Sequence, residues 1–239
     1  MEQMIRLNKY ISDCGICSRR QADVLIEQGK IIVDGVTANL GTKVLDESVV
    51  EYEGKRIRPV KKQVIYAYHK PIGLVCTSKE ADKDSIFQKT TFPIQVNYVG
   101  RLDKDSSGLL LLTNDGELSN EIQKARNNHE KEYQVRVNRD LTEQFIENMQ
   151  KGVPILDTVT KPCRVRKQGT RNFSIVLTQG LNRQIRRMCD YFGYRVVHLK
   201  RVRVMNVKLG DLRPGSFREL TPDEERKLRR LVNEHNQSV

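Results

Sequence analysis

Four consecutive leucines, Leu109 to Leu112, closed by Thr113-Asn114-Asp115-Gly116, constrain this chain more than any other feature. An unbroken apolar run of this length ending on Asn-Asp-Gly predicts a strand buried on both faces and stopped by a tight turn. A strand held that way also holds the loop before it. That loop is Gly100-Arg101-Leu102-Asp103-Lys104-Asp105-Ser106-Ser107-Gly108, and it carries a carboxylate, Asp103, two residues after an arginine. A reactive carboxylate needs such a rigid mount. The residues alone leave a second use open, because loop aspartates also cap turns, and Asp103 could simply pair with Arg101.

Charge narrows the class of partner. The 239 residues hold 42 Lys+Arg against 30 Asp+Glu, a formal net charge of +12. Residues 183–230 contribute 14 Lys/Arg against 6 Asp/Glu, and residues 5–20 form a second focus with Arg6, Lys9, Arg19 and Arg20 against Asp13. Two separate basic foci predict a surface that tracks phosphates, hence a nucleic-acid partner. No stretch approaches 18 apolar residues, which predicts no membrane-spanning helix, and Met1 to Lys9 lacks the apolar core of a signal peptide. Five cysteines, Cys14, Cys17, Cys76, Cys163 and Cys189, are an odd count that fits reduced thiols in a cytoplasm. Cys14 and Cys17 form a C-x-x-C. No second pair or neighbouring His pair completes a zinc set, so no metal is expected.

Along the chain, Ile5, Leu7, Tyr10 and Ile11 predict a short amphipathic helix over 5–13, stopped at Gly15. Ser18 with Gln21 is a capping-box pair and predicts a second helix over 19–28. Ile31 to Val36 reads as a strand turning on Asp34-Gly35, and Val49 to Tyr52 as another. Residues 57–63, with Pro59, Lys61 and Lys62, read as a linker. Beyond it, strands are expected at Val64–His69, Lys131–Val137, Phe173–Thr178 and Arg201–Leu209, and helices at Glu117–Ala125, Leu141–Met149 and Gln184–Phe192. Strands mixed with a few helices and no βαβ rhythm predict an α+β fold: a small N-terminal α/β unit over 4–62, then a mostly antiparallel mixed sheet flanked by helices over 64–235. Arg183, Arg186 and Arg187, at helical spacing, are expected on one side of the basic helix. Such crowding calls for carboxylate or phosphate partners.

The N-terminal unit resembles the S4 RNA-binding domain. The likeness rests on Arg6-Leu7-Asn8-Lys9-Tyr10-Ile11, Cys17-Ser18-Arg19-Arg20-Gln21-Ala22 and Ile31-Ile32-Val33-Asp34-Gly35. It implies that Arg6, Lys9, Arg19 and Arg20 face structured RNA. Arg19 and Arg20 also stand at a helix N-terminus, where cations oppose the helix dipole, so folding alone does not favour them.

The remainder resembles the RsuA-type pseudouridine synthases. The segments that carry the likeness are Lys70-Pro71-Ile72-Gly73, Gly100-Arg101-Leu102-Asp103, Lys131-Glu132-Tyr133 and Gly180-Leu181-Asn182-Arg183-Gln184-Ile185-Arg186-Arg187-Met188. The resemblance implies an isomerase that breaks the uracil N1 to ribose C1′ bond, turns the base and rejoins it through C5, without net redox change or cofactor. It implies Asp103 as the essential carboxylate, acting as nucleophile at C1′ or C6 or as base at C2′. It implies Tyr133 stacking on the base and helping remove the C5 proton, Arg186 pairing with Asp103, and Ile185 packing in the same pocket. Arg101 would take the place of the flipped uridine in the RNA helix. The implied partner is RNA, most simply 23S rRNA, with 16S rRNA or tRNA as alternatives, and the expected state is a monomer. A non-catalytic RNA-binding protein with a degenerate second domain is the competing reading. Many family members carry His at the position of Arg183 and Thr at that of Ser106, and neither departure removes a catalytic group.

Overall fold

The computed structural model describes residues 4–60, 62–78, 82–124 and 128–236, with side chains to Glu234. The linker residue Lys61 and the expected helix end at Ala125 lie outside the described residues. The chain divides into two compact units, Met1–Gln63 and Val64–Val239.

The first unit contains β1 (Ile5–Arg6), α1 (Leu7–Asp13), α2 (Arg19–Glu27), β2 (Ile31–Val33), β3 (Val36–Thr37), β4 (Lys43–Val44), β5 (Val50–Tyr52) and β6 (Lys55–Ile57). Its start differs from expectation. Ile5 and Arg6 do not begin the helix but form a strand paired with Val44 and Lys43, and Arg6 caps α1 in an extended conformation. The capping box is present: Ser18 Oγ accepts from the Gln21 amide at 3.3 Å and the Gln21 side chain accepts from the Ser18 amide at 3.1 Å. Leu7, Tyr10, Ile11, Ala22, Ile26 and Ile31 fill the core between the two helices and the four strands β3-β2-β5-β6.

The second unit contains β7 (Ile65–Lys70), α3 (Ile86–Lys89), β8 (Asn97–Val99), β9 (Ser107–Thr113), α4 (Gly116–Gln123), β10 (Lys131–Val137), α5 (Glu143–Lys151), β11 (Pro154–Ile155), β12 (Thr158–Val159), β13 (Arg164–Lys167), β14 (Asn172–Leu177), α6 (Gln184–Tyr191), β15 (Val196–Val204), β16 (Val207–Lys208), β17 (Phe217–Glu219) and α7 (Pro222–Asn236). One sheet runs β13-β14-β10-β15-β9-β7-β17, with β8 and β16 attached to β9 and β15. Every pair is antiparallel except β9 with β15.

The leucine run is β9, and it is covered on both faces. Leu109 and Leu111 pack with Ile65, Leu118, Ile122, Leu228 and Val232 on one side. Leu110 and Leu112 pack with Tyr66, Tyr68, Ile86 and Leu102 on the other. All four are 1% exposed or less. Burying each contributes roughly 1.5–3 kcal/mol before entropy. The helix α7 that supplies Leu228 and Val232 was not among the expected elements. It starts on a capping box of its own, in which Thr221 Oγ1 accepts from the Glu224 amide and the Glu224 carboxylate accepts from the Thr221 amide.

Where β9 meets β15, the backbones touch. Gly108 lies opposite Arg201 with φ +111°, and a Cβ at Gly108 would sit 2.2 Å from the Arg201 carbonyl oxygen. No side chain fits that contact. Gly108→Ala is therefore expected to cost at least about 3 kcal/mol, from steric overlap and positive φ together. Urea unfolding measures this, and a midpoint equal to wild type would show the contact to be yielding.

Candidate active site

The loop before β9 is clamped at several points. Leu102 is buried in the core beneath the sheet. The Ser106 amide donates to the Asp103 carbonyl at 3.1 Å and closes a turn. Gly73 donates to the Lys104 carbonyl at 2.8 Å, which ties the Lys70–Gly73 turn to the loop, and Lys104 pairs with Asp84 at 2.7 Å. Behind the loop sits Lys70, fully buried, its ammonium donating to the Pro71 carbonyl at 2.8 Å. Burial lowers the Lys70 pKa, while Cys76, Asp103 and Asp105 oppose that shift. These restraints leave the Asp103 carboxylate half-exposed at the wall of a cavity of about 290 Å³. That volume is at the small end of ligand sites.

Tyr133, Ile185, Arg101 and Arg183 border the same cavity. Tyr133 stands in the middle of the sheet, where a register shift between Glu132 and Tyr133 sets it opposite Arg201. Such an irregularity re-aims a strand side chain. Arg101 is exposed and Ile185 is 4% exposed. Two further side chains, Lys131 and Arg201, line the cavity and were not singled out as site residues beforehand. For Lys131 the signal was present, since strand alternation puts it on the same face as Tyr133. Arg201 carried none, because its place depends on a pairing far along the chain.

The arginine pairing differs from expectation. Arg186 does not contact Asp103. It is 9% exposed, and its guanidinium donates to the Asp105 carbonyl at 2.9 Å, lies 3.2 Å from the Asp105 carboxylate and donates to the Val196 carbonyl at 3.4 Å. The cation nearest Asp103 is Arg183, at 3.7 Å, which also grips Asp105 through two hydrogen bonds of 3.2 and 3.0 Å. Arg186 stands buried in the first turn of α6 and meets the loop at Asp105. Arg183 precedes the helix in a left-handed conformation, φ 50°, and reaches the cavity side.

The three arginines lie on one side of the helix start but differ in exposure and partners. Arg183 is the N-cap, Arg186 is buried, and Arg187 is exposed and folds back onto Asn182 at 3.1 and 3.2 Å. They do border one common polar cleft of about 260 Å³ together with Asp190 and Arg195.

In the first unit, Arg6 is exposed and lies opposite Lys43 across the β1–β4 pair, a like-charge arrangement that folding does not favour. Lys9 reaches Asp13 at 4.0 Å. Arg19 and Arg20 are exposed in the first turn of α2, which holds no acidic residue. All five cysteines are free. Burial, with Asp13 adding, pushes the Cys14 thiol up to about 12, and burial raises Cys17 as well. Both remain thiols near neutrality, and among the described residues no three His, Cys, Asp or Glu side chains gather as a metal site.

Comparison with known proteins gives the family. The RNA pseudouridylate synthase family model matches residues 64–191, and the S4 domain model matches residues 5–50. The dual-specificity RNA pseudouridine synthase RluF of Escherichia coli K12 is 48% identical over 240 aligned positions, covering 100% of this chain and 83% of that protein. The ribosomal large subunit pseudouridine synthase B of Bacillus subtilis is 33% identical, covering 96% of this chain and 98% of that protein. A crystal structure of a pseudouridylate synthase superposes with a TM-score of 0.69 at 27% identity, covering 94% of this chain and 99% of that one. The chain belongs to the RNA pseudouridylate synthase family, with an N-terminal S4 domain. It is thus an isomerase acting on RNA. No helix among the described residues is long and apolar enough to cross a membrane.

Asp105 gives a pH test of the clamp. Partial burial would raise its pKa, but the hydrogen bond from Arg183 and the charges of Arg186 and Arg183 outweigh this and hold it below the ordinary carboxylate value. A depressed carboxylate stabilises the fold at neutral pH and loses that contribution as pH falls through its lowered pKa. Asp105→Asn is expected to unfold at lower temperature than wild type near pH 7, with the gap narrowing as the pH is taken below the ordinary aspartate range. Thermal unfolding followed by circular dichroism reads this, and a gap independent of pH would remove Asp105 from the clamp.

Proposed function

We propose that residues 64–235 isomerise uridine to pseudouridine in structured RNA, with 23S rRNA as substrate, and that residues 4–62 hold the RNA through Arg6, Lys9, Arg19 and Arg20. The observation that carries this reading is the meeting of Asp103, Tyr133 and Ile185 at one cavity, with Arg183 at 3.7 Å from Asp103. A cavity of that size holds one nucleobase and its sugar but not a stacked duplex, so the target nucleotide must leave the helix. Arg101, exposed at the cavity, fills the gap the base leaves. Asp103 attacks C1′ or C6, or removes the C2′ proton. Tyr133 faces the base and assists loss of the C5 proton.

Arg183, always charged, stands 3.7 Å from the Asp103 carboxylate and orients it. In this scheme Arg186 acts one step back, fixing Asp105 and the loop backbone, and it positions Asp103 through them. The large-subunit name of the Bacillus relative supports 23S rRNA. The dual-specificity name of the Escherichia relative supports a second RNA class, for which 16S rRNA and tRNA are the candidates. The enzyme acts as a monomer in the cytoplasm.

Release of tritium from RNA carrying 5-tritiated uridine tests the reading. Wild type is expected to release label from 23S fragments, and Asp103→Asn to lose roughly 10⁴-fold or more in rate. Release from 16S rRNA or tRNA alone would reassign the substrate. No release from any RNA would leave an RNA-binding protein without this activity.

A further inference from the structure

Lys131 and Arg201 line the cavity beside Tyr133, and among the described residues neither has a carboxylate within ion-pair reach. Arg201 is 3% exposed. Its Nε donates to the Leu109 carbonyl at 2.7 Å, while one terminal nitrogen is buried with no hydrogen-bond partner. Lys131 makes a single 3.3 Å contact to the His129 carbonyl. Burial, with Arg201 adding, pushes the Lys131 pKa down to about 8. A buried donor without a partner costs about 1–3 kcal/mol, and two adjacent unpaired cations cost more. Folding does not call for this pair. What sets Arg201 apart is the lack of a carboxylate: Arg186 pairs with Asp105 and Arg203 with Glu130 and Glu132, although Arg186 also keeps one buried nitrogen, Nε, without a partner.

We propose that Lys131 and Arg201 form a cradle for the uracil carbonyl oxygens and stabilise the negative charge that the base carries during glycosidic rearrangement. The geometry supports this. Lys131 and Tyr133 are two residues apart on one face of β10, about 7 Å along the strand, and Arg201 stands directly opposite Tyr133 on β15. A base lying at Tyr133 has both cations within reach of its edge.

The chemistry asks for such a cradle by each route open to Asp103. If the N1–C1′ bond breaks, by attack at C1′ or loss of the C2′ proton, its electron pair leaves with the base and spreads onto O2 and O4. If the carboxylate adds at C6, the pair moves through C5 onto O4. In every route the N1–C1′ bond breaks and the C5–C1′ bond forms; the carboxylate leaves C1′ or C6, or returns the proton to C2′, C5 loses its proton and N1 gains one, so nothing is consumed. Preorganised charges aimed at developing negative charge are worth most where water is excluded.

This inference rests on the proposed uridine isomerisation, and the wild-type tritium release tests that separately. Lys131→Met is expected to lower kcat by about 10²–10³-fold, with affinity for pseudouridine-containing product RNA unchanged within about twofold. Lys131→Arg is expected to recover most of the rate. The pH profile adds a readout that a structural role would not move. The charged groups facing Lys131 are Arg201 from β15, Asp103 and Arg101 from the loop, Arg183 from the start of α6, and Tyr133 on its own strand.

Wild-type kcat/KM is expected to fall as pH rises through about 8, when Lys131 loses its proton. The same fall is expected to disappear in Lys131→Arg, which stays charged. That comparison decides even if Lys131→Met fails to fold. Weakened RNA affinity at unchanged kcat would make Lys131 a phosphate contact and overturn the proposal. An unaltered fall in Lys131→Arg would overturn it too. If wild type itself releases no label, the failure belongs to the function and not to the cradle.

Discussion

The burial of β9 on both faces is the constraint on which the catalytic unit depends. Leu109 and Leu111 close one core and Leu110 and Leu112 the other, so the strand cannot shift register without moving polar loop residues inward. Gly108 adds a second lock by letting the Arg201 backbone approach where no side chain fits. Together they set the height of the Asp103 loop above the sheet and the place of β15 beside it. Tyr133 pairs with Arg201, and Arg201 with Gly108, so one line across three strands joins the tyrosine to the base of the loop.

Charge around the cavity is arranged in two tiers. Behind the loop, Asp105 takes up Arg183 and Arg186, and Lys70 is buried under the same turn. These contacts hold the loop. Facing the cavity, Lys131 and the free nitrogen of Arg201 are left without carboxylates. A site with unpaired positive charge suits an anionic partner such as RNA. The basic cleft at Arg183, Arg187 and Arg195 continues that character toward solvent.

Much of the fold was legible because it is written in short-range pattern. The Ser18–Gln21 capping box, the Asp34-Gly35 turn, the alternation over Lys131–Val137 and the leucine run each state their structure within a few residues. The Thr221–Glu224 box at the start of α7 is a signal of the same short-range kind. The strands β8, β13 and β17 are different. They are three or four residues long and partly exposed, too short to show a periodic pattern, and β17 is defined by pairing with β7 far back in the chain.

The sequence by itself determined the two-part organisation, the basic character and the buried strand, which depend on composition and on contacts between near neighbours, while its resemblance to the pseudouridine synthases pointed to Asp103, Tyr133 and Arg186. The tertiary structure decided which charge meets which. Arg186 holds Asp105, Arg183 approaches Asp103, and Arg201 arrives beside Lys131 with a donor to spare. These pairings hang on the β10–β15 register and the parallel β9–β15 contact, which join residues about 70 to 95 positions apart. An aspartate two residues from another looks equivalent in a string of letters. Only the direction from which a guanidinium arrives tells them apart.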